Sequence, residues 1–230
     1  MSGREVVAVV PARGGSVGLP GKNLAPFLGR PLVTHTVATA IAAGLPRVVV
    51  STDDTRIGEV ASQAGAEVVR RPAELARSTS RTVDAVLHTL DVLDLPDSTV
   101  VVLLQPTSPL RTGDDVAACL QLHGTRTTGS VVQVADSPEH HPLKACLLVD
   151  GRLTPVRDWP DLEAPRQVLP PVLRPTGGVY VVGAGDLRRH RRFFVPEVLA
   201  QVIPAERAVD IDTAEDLRIA QERARAWGWS

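Results

Sequence analysis

Aromatic side chains are scarce, at 3% of 230 residues, and so is net charge, which stands at -1. The first shortage removes the stacking platforms that single-stranded nucleic acids use, and the second removes the basic field that a phosphate backbone requires. One basic run exists, Arg188-Arg189-His190-Arg191-Arg192, and it reads as a solvated face. The two cysteines, Cys119 and Cys146, have no Cys or His neighbour at metal-ligand spacing, so ordinary buried or half-buried thiols are expected. No apolar run reaches the roughly 18 residues of a membrane span. The first residues pass straight into a Val-rich stretch without a leader-like apolar segment, so the expectation is a cytoplasmic protein that binds neither membrane nor nucleic acid.

What is present is an ordinary globular composition, 43% hydrophobic and 22% charged, in a length that suits one domain over 1–230. Val6 to Val10 is a β-branched apolar run, expected as a strand buried on both faces. Leu32, Val33, Thr36, Val37, Ala40 and Ile41 then recur at helical spacing, with Pro31 suited to the first helical position and Gly44 to the stop. Strands are expected at Val48 to Val50, Glu67 to Arg70, Val100 to Leu104 and Ser130 to Val134. Between them, helices are expected behind the caps Asp53, Asp54 and Thr55, around Val83 to Leu93, and near 112–122. Such alternation implies an α/β fold with a mainly parallel sheet, helices on both faces and ligands at the carboxyl ends of the strands.

The alternation lapses between about 136 and 178, where prolines are interleaved with Arg, Lys, Trp and Gln, before the strand Val179 to Val182. We read the region of about 136–200 as carrying an insertion that covers a site or reaches a partner subunit. The chain closes on "AVDIDTAEDLRIAQERARAWG", expected as a strand entering a helix whose start is a capping box of Thr213 and Asp216.

Two segments carry chemistry. "VVPARGGSVGLPGKN", residues 9–23, is a glycine-rich turn after a buried strand, and with Arg13 and Lys22 it suits spread phosphate charge. It is not a P-loop, because Ser16 and Asn23 stand where Gly and Ser/Thr belong, and no G-x-G-x-x-G register exists. Asp210 and Asp212 alternate, so on a strand both carboxylates point the same way. Taken alone, such a pair is more often a strand-end or cap feature; Lys144 and Arg166 also read as salt-bridging residues, Gln105 as a strand-end polar group, and Tyr180, Phe193 and Phe194 as plain core.

"PARGGSVGLPGKN", "LGRPLVTHTV", "VVVSTDD", "GAEVVRRPAELA", "VVLLQPTSPLR", "RPTGGVYV" and "VDIDTAEDL" are collinear over nearly the whole chain, and together they resemble the acylneuraminate cytidylyltransferase family. The resemblance implies a Rossmann-like nucleotidyltransferase fold, a homodimer, and Mg2+-dependent transfer of CMP from CTP to a hydroxyl of a small acidic acceptor, a nonulosonic (sialic-type) acid, with release of pyrophosphate. It implies that Arg13, Gly14, Gly15, Ser16, Lys22 and Asn23 surround the phosphates and ribose, and that Arg71 and Thr82 form the base pocket. Arg13, Lys22 and Asp212 are the implied catalytic groups, and Asp210 with Asp212 the implied metal ligands. On the acceptor side it implies Gln105, Lys144, Arg166, Thr176 and Tyr180, with Phe193 and Phe194 reaching into a neighbouring subunit.

Two positions depart from that pattern. Val17 stands where the family usually has lysine, leaving the phosphates to Lys22 and Arg13, with Arg111 as a candidate for compensation. Thr176 stands where asparagine is more usual, which bears on acceptor choice. Two alternatives therefore accompany the main expectation: a nucleotidyltransferase for a phosphonate or sugar 1-phosphate, and a nucleotide-binding relative without catalysis.

Overall fold

A computed structural model of the chain describes residues 4–125, 128–137 and 141–229. The central elements in chain order begin with β1 (Val6–Pro11), a short hairpin of β2 (Pro26–Phe27) and β3 (Arg30–Pro31), α1 (Leu32–Ala42), β4 (Val48–Thr52), α2 (Thr55–Gln63), β5 (Glu67–Arg70), α3 (Thr82–Val92) and β6 (Val100–Leu103). There follow α4 (Gly113–Gly124), β7 (Ser130–Asp136), the hairpin β8 (Cys146–Val149) and β9 (Arg152–Pro155), α5 (Trp159–Glu163), β10 (Leu173–Gly183), α6 (Ala184–His190), β11 (Val198–Ile203) and α7 (Ala214–Ala226). None of these helices is long and apolar enough to cross a membrane.

Seven strands form one sheet in the order β11-β7-β10-β6-β1-β4-β5, and β10 alone runs against the others. Every residue of β4 and β6 is buried, because both faces of the sheet are covered. Ala8 and Val10 of β1 pack with Val33, Val37, Ile57 and Val116 from α1, α2 and α4. Val7 and Val9 turn the other way, against Val83, Val86 and Leu90 of α3 and Leu187 of α6. From β1 the chain winds outward through β4 to β5 and then returns to β6 on the opposite side of β1, so the winding reverses between β1 and β6. In such a sheet the crevice beyond the strand ends at that point is where ligands bind.

Helix ends follow the expected chemistry. Asp54 caps α2 by accepting from the Ile57 backbone N–H, and the turn ends at Gly65 with φ +95°. Thr112 with Asp115, and Thr213 with Asp216, form reciprocal capping boxes on α4 and α7. Pro31 is not the first helical residue. Its extended backbone pairs with Pro26 in the β2–β3 hairpin, and α1 begins one residue later.

Two other expectations give way. Ala208 to Asp212 is not a sheet strand; the strand beside β7 is β11, whose short "VLAQVI" pattern was not recognised in the sequence. Val209 and Ile211 instead bury against Phe27, Leu32, Leu110 and Ala220, and the Ile211 N–H donates to the Thr107 carbonyl at 2.8 Å. The irregular region ends at residue 172 rather than 178, since β10 starts at Leu173 and carries an irregularity between Pro175 and Tyr180. Pro138, Glu139 and His140 of that region lie outside the described residues. The basic run lies at the surface as expected, and two of its arginines are ion-paired there, Arg188 to Asp97 at 2.5 Å and Arg191 to Asp84 at 2.6 Å.

Candidate active site

At the reversal between β1 and β6 lies a cleft of about 380 Å3. One wall is the turn after β1, with Arg13, Ser16, Val17, Gly18, Lys22 and Asn23. The second comes from Arg71 and the loop that runs from β5 into α3. The floor is Gln105, Pro106 and Thr107 after β6, and Asp210 with Asp212 close the far side.

The glycines of the first turn are there for packing as much as for flexibility. The Gly14 N–H donates to Asp53 Oδ1 at 3.0 Å, and a Cβ on Gly14 would meet Asp54 Oδ2 at 2.9 Å. A Cβ on Gly18 would sit 2.5 Å from the Asp212 carbonyl oxygen, so this turn and the acidic segment touch backbone to backbone. Gly14 and Gly15 themselves do not line the cleft. Buried Asn23 donates through Nδ2 to the Arg13 carbonyl at 2.8 Å, fixing the turn that presents Arg13.

Lys22 reaches across the cleft. Its Nζ donates to the Ile211 carbonyl and to Asp212 Oδ1, each at 2.8 Å. The cation is largely covered by protein while its Asp212 partner is open to solvent, so an incoming anion would meet Asp212 loosely held and Lys22 firmly placed. Val209 and Ile211 point into the core, which turns Asp210 and Asp212 to the same cleft, as their alternation implied. Burial raises the Asp210 carboxyl above its ordinary range; a hydrogen bond from Thr107 opposes this, and the neighbouring Asp212 adds to it. The pair offers two hard oxygens on one face, and no cluster of three His, Cys, Asp or Glu exists among the described residues. That set fits Mg2+, which takes one or two protein carboxylates and keeps waters and substrate phosphates.

Arg71 is almost buried, with Nε 4.0 Å from Asp53 Oδ1 and no hydrogen-bond partner for that N–H among the described residues. Burial lowers its pKa first, Asp53 opposes the loss, and Arg13 adds to it. Asp53 thus holds both the first turn and Arg71. The sequence reading treated Asp53 only as a helix cap; its place directly after β4, at the carboxyl edge of the sheet, was the available signal. Arg77, Ser78, Ser80 and Arg81 join Thr82 in lining the cleft and were likewise not singled out.

On the acceptor side the picture is divided. Gln105 lines the cleft, and Tyr180 lies close enough to Asp210 for that charge to add to burial in raising its phenol pKa. Phe193 and Phe194 pack on Tyr180 of the same chain, with ring centroids 5.6 and 6.0 Å away. Lys144 and Arg166 do not line the cleft. Lys144 donates to the Leu162 carbonyl at 2.6 Å and to that of Ala164, closing off the end of α5, and Arg166 is exposed in the turn beyond it. Thr176 is buried beneath the floor, donating to Gln133 Oε1 at 2.8 Å and accepting from the Gly178 N–H at 3.1 Å.

Arg111 does not compensate for Val17. Its buried guanidinium donates to the carbonyls of Gln105, Ser108 and Gly178 at 2.6, 3.0 and 3.2 Å and to Thr36 Oγ1 at 2.5 Å, behind the floor. Full burial pulls its pKa down to about 9 despite Asp115, which marks a structural clamp rather than a phosphate contact.

Residues 7–139 match the family described as cytidylyltransferase, more than half of the chain. The chain belongs to the cytidylyltransferase family. It is 32% identical over 224 residues to a CMP-N,N'-diacetyllegionaminic acid synthase of Legionella pneumophila, covering 94% of this chain and 95% of that one. An N-acylneuraminate cytidylyltransferase of Streptococcus agalactiae is 30% identical over 213 residues, but this chain spans only 51% of it, about half the length of that relative. A CMP:2-keto-3-deoxy-manno-octonic acid synthetase solved with CTP shares the fold, at TM-score 0.72 and 20% identity over 97% of this chain and 99% of that one. The mainly parallel α/β sheet of this family member is therefore a shared scaffold.

Proposed function

We propose that the chain transfers CMP from CTP to a hydroxyl of a nonulosonic acid, with release of pyrophosphate. The observation that carries this reading is the cleft itself: Arg13, Lys22 and Arg71 face Asp210 and Asp212 across a space of nucleotide size at the sheet's reversal. The overall match to a synthase of a CMP-nonulosonic acid, end to end, favours that acceptor class over phosphonates and sugar 1-phosphates.

In the reaction the acceptor oxygen attacks the α-phosphorus, an O–P bond forms, the bond to the bridging oxygen breaks, and pyrophosphate departs as the hydroxyl proton is lost. Lys22 and Arg13 hold the developing charge on the phosphate oxygens, and the Ser16 region supplies backbone donors. Arg71 and Thr82 read the base, with Asp53 keeping Arg71 oriented. Asp210 and Asp212 would hold Mg2+, which, when bound, supplies positive charge for the phosphates and the attacking oxygen. Gln105 and Tyr180 border the acceptor end, and an acidic acceptor needs cations that this wall does not contain.

Lys144 and Arg166 would supply those cations from a second copy of the chain. Leu148 and its cross-strand partner Leu153 lie on one face of the β8–β9 hairpin and are 74% and 63% exposed, which suits burial in a homodimer. A reaction that consumes CTP suits the cytoplasm, where nucleoside triphosphates are made.

Pyrophosphate release tests the reading. The purified chain is given Mg2+, each of the four nucleoside triphosphates, and a panel of N-acylneuraminates, bacterial nonulosonates, a 3-deoxy-octulosonate, phosphonates and sugar 1-phosphates. Turnover confined to CTP and nonulosonates supports it. Turnover with an octulosonate, phosphonate or sugar phosphate in their place moves the acceptor assignment, and CTP binding without turnover supports the non-catalytic alternative.

A further inference from the structure

We infer that Arg77, on the loop between β5 and α3, is the residue that holds the distal phosphates of the nucleotide in place of a cation at position 17. The inference rests on the reading of the cleft as a CTP site.

Five cationic residues line the cleft: Arg13, Lys22, Arg71, Arg77 and Arg81. Four are committed within the protein. Lys22 is paired with Asp212 at 2.8 Å, and Arg71 faces Asp53 at 4.0 Å from a nearly buried position. Arg13 donates through one terminal nitrogen to the Arg77 carbonyl at 2.7 Å, and Arg81 donates to the Arg191 carbonyl at 2.5 Å. The Arg77 guanidinium has no hydrogen-bond or ion-pair partner among the described residues.

The backbone of Arg77 is nevertheless held. Its carbonyl accepts from Arg13 and, at 3.0 Å, from the Ser80 N–H, while the Ser80 hydroxyl donates to the Glu74 carbonyl at 2.9 Å. This turn is therefore pinned to the first turn by Arg13, and the one uncommitted guanidinium of the cleft springs from a fixed point. Val17, which lines the same cleft, is 80% exposed and contributes neither charge nor side-chain donor. A triphosphate brings more negative charge than Arg13 and a half-neutralised Lys22 can balance, and a planar guanidinium with a forked set of donors suits two phosphate oxygens at once.

Binding of CTP and of CMP to the full chain, measured by calorimetry for wild type, Arg77→Ala, Arg77→Lys and the double variant Val17→Lys/Arg77→Ala, tests this. The expected result is a CTP dissociation constant raised about tenfold by Arg77→Ala, with CMP affinity changed less than about twofold. Arg77→Lys should recover part of the loss, because it keeps the charge, and Val17→Lys should restore it in the double variant. Equal CTP binding in wild type and Arg77→Ala would overturn the inference and leave the CTP reading standing. An equal loss for CTP and CMP would overturn it too, by showing that the loop acts on shape rather than on phosphate. If wild type binds no CTP, the reading of the cleft falls, and the inference with it.

Discussion

The two ends of the cleft are held differently. At the nucleotide end, polar groups from the turns after β1, β4 and β5 interlock: Asp53 receives the Gly14 N–H and faces Arg71, Asn23 fixes Arg13, and Lys22 crosses to Asp212. At the proposed acceptor end, the floor that includes Gln105 is held by Arg111 from behind, the Ser108 hydroxyl donates to the Thr176 carbonyl, Tyr180 lies near Asp210, and Lys144 is bound within the insertion. On the proposed function, the first end is complete in one chain, and the second lacks the cations that an acidic acceptor would require. A site built at the carboxyl ends of adjacent parallel strands needs only the sheet to exist, whereas a site that borrows residues from an insertion needs the assembly that brings the insertion to it.

The sharpest way to break this contrast is at the residue that closes both ends. Asp212→Ala removes the partner of Lys22 and one of two carboxylates, and should lower turnover about a thousandfold or more with thermal stability retained; near-normal turnover would remove the pair from the chemistry. Next comes the clamp under the floor. Arg111→Ala strips four acceptors of their donor in the interior and should cost about 3 kcal/mol of stability in denaturant unfolding, without a phosphate-specific loss in the protein that still folds. An unchanged stability with weakened CTP binding would reverse the assignment of that arginine.

The acceptor end is broken by separating copies. Leu148→Asp places a charge in the exposed apolar face of the insertion and should convert a dimer to monomer in sedimentation, raising the acceptor KM about tenfold or more while CTP binding stays within about twofold. A monomeric wild type with full turnover would show that one chain suffices.

Acid sets the next effect. Burial lowers the pKa of His35, whose Nε2 lies 2.6 Å from the Phe27 carbonyl, and of His123. The unfolded chain then binds more protons than the folded one just below pH 6.5, so stability is fully present above that pH and declines as pH falls through the window. The melting temperature should drop on acidification from pH 7 to pH 5.5, and His35→Gln should flatten part of that slope. The smallest effect is expected from Val17→Lys, which should leave turnover unchanged or raise it a few-fold; a clear loss of CTP binding would contradict a triphosphate along this turn.

Much of the nucleotide end was legible in the sequence, because its signals are local. A β-branched run, a glycine turn with two cations and alternating aspartates each dictate their own geometry, and Arg13, Lys22, Arg71, Asp210 and Asp212 do meet in one cleft. Even there the alternation of the aspartates survived without the strand expected to produce it, since burial of Val209 and Ile211 alone is enough to turn the pair outward. The rest was hidden for physical reasons. The β11 pairing depends on a neighbour far away in sequence, and the burial of Arg111 and Thr176 is a property of packing between β10 and the loop after β6. Contacts of Lys144 depend on how the insertion folds on itself.

A crystal structure of the full chain with CTP tests the central claim most directly. The account predicts the triphosphate between the turn after β1 and the 77–82 loop, with phosphate oxygens within hydrogen-bond reach of Lys22, Arg13 and Arg77, the base against Arg71, and Asp210 with Asp212 facing the α-phosphate. CTP bound elsewhere on the sheet, or in this cleft with its phosphates directed away from Lys22 and the aspartates, would contradict it.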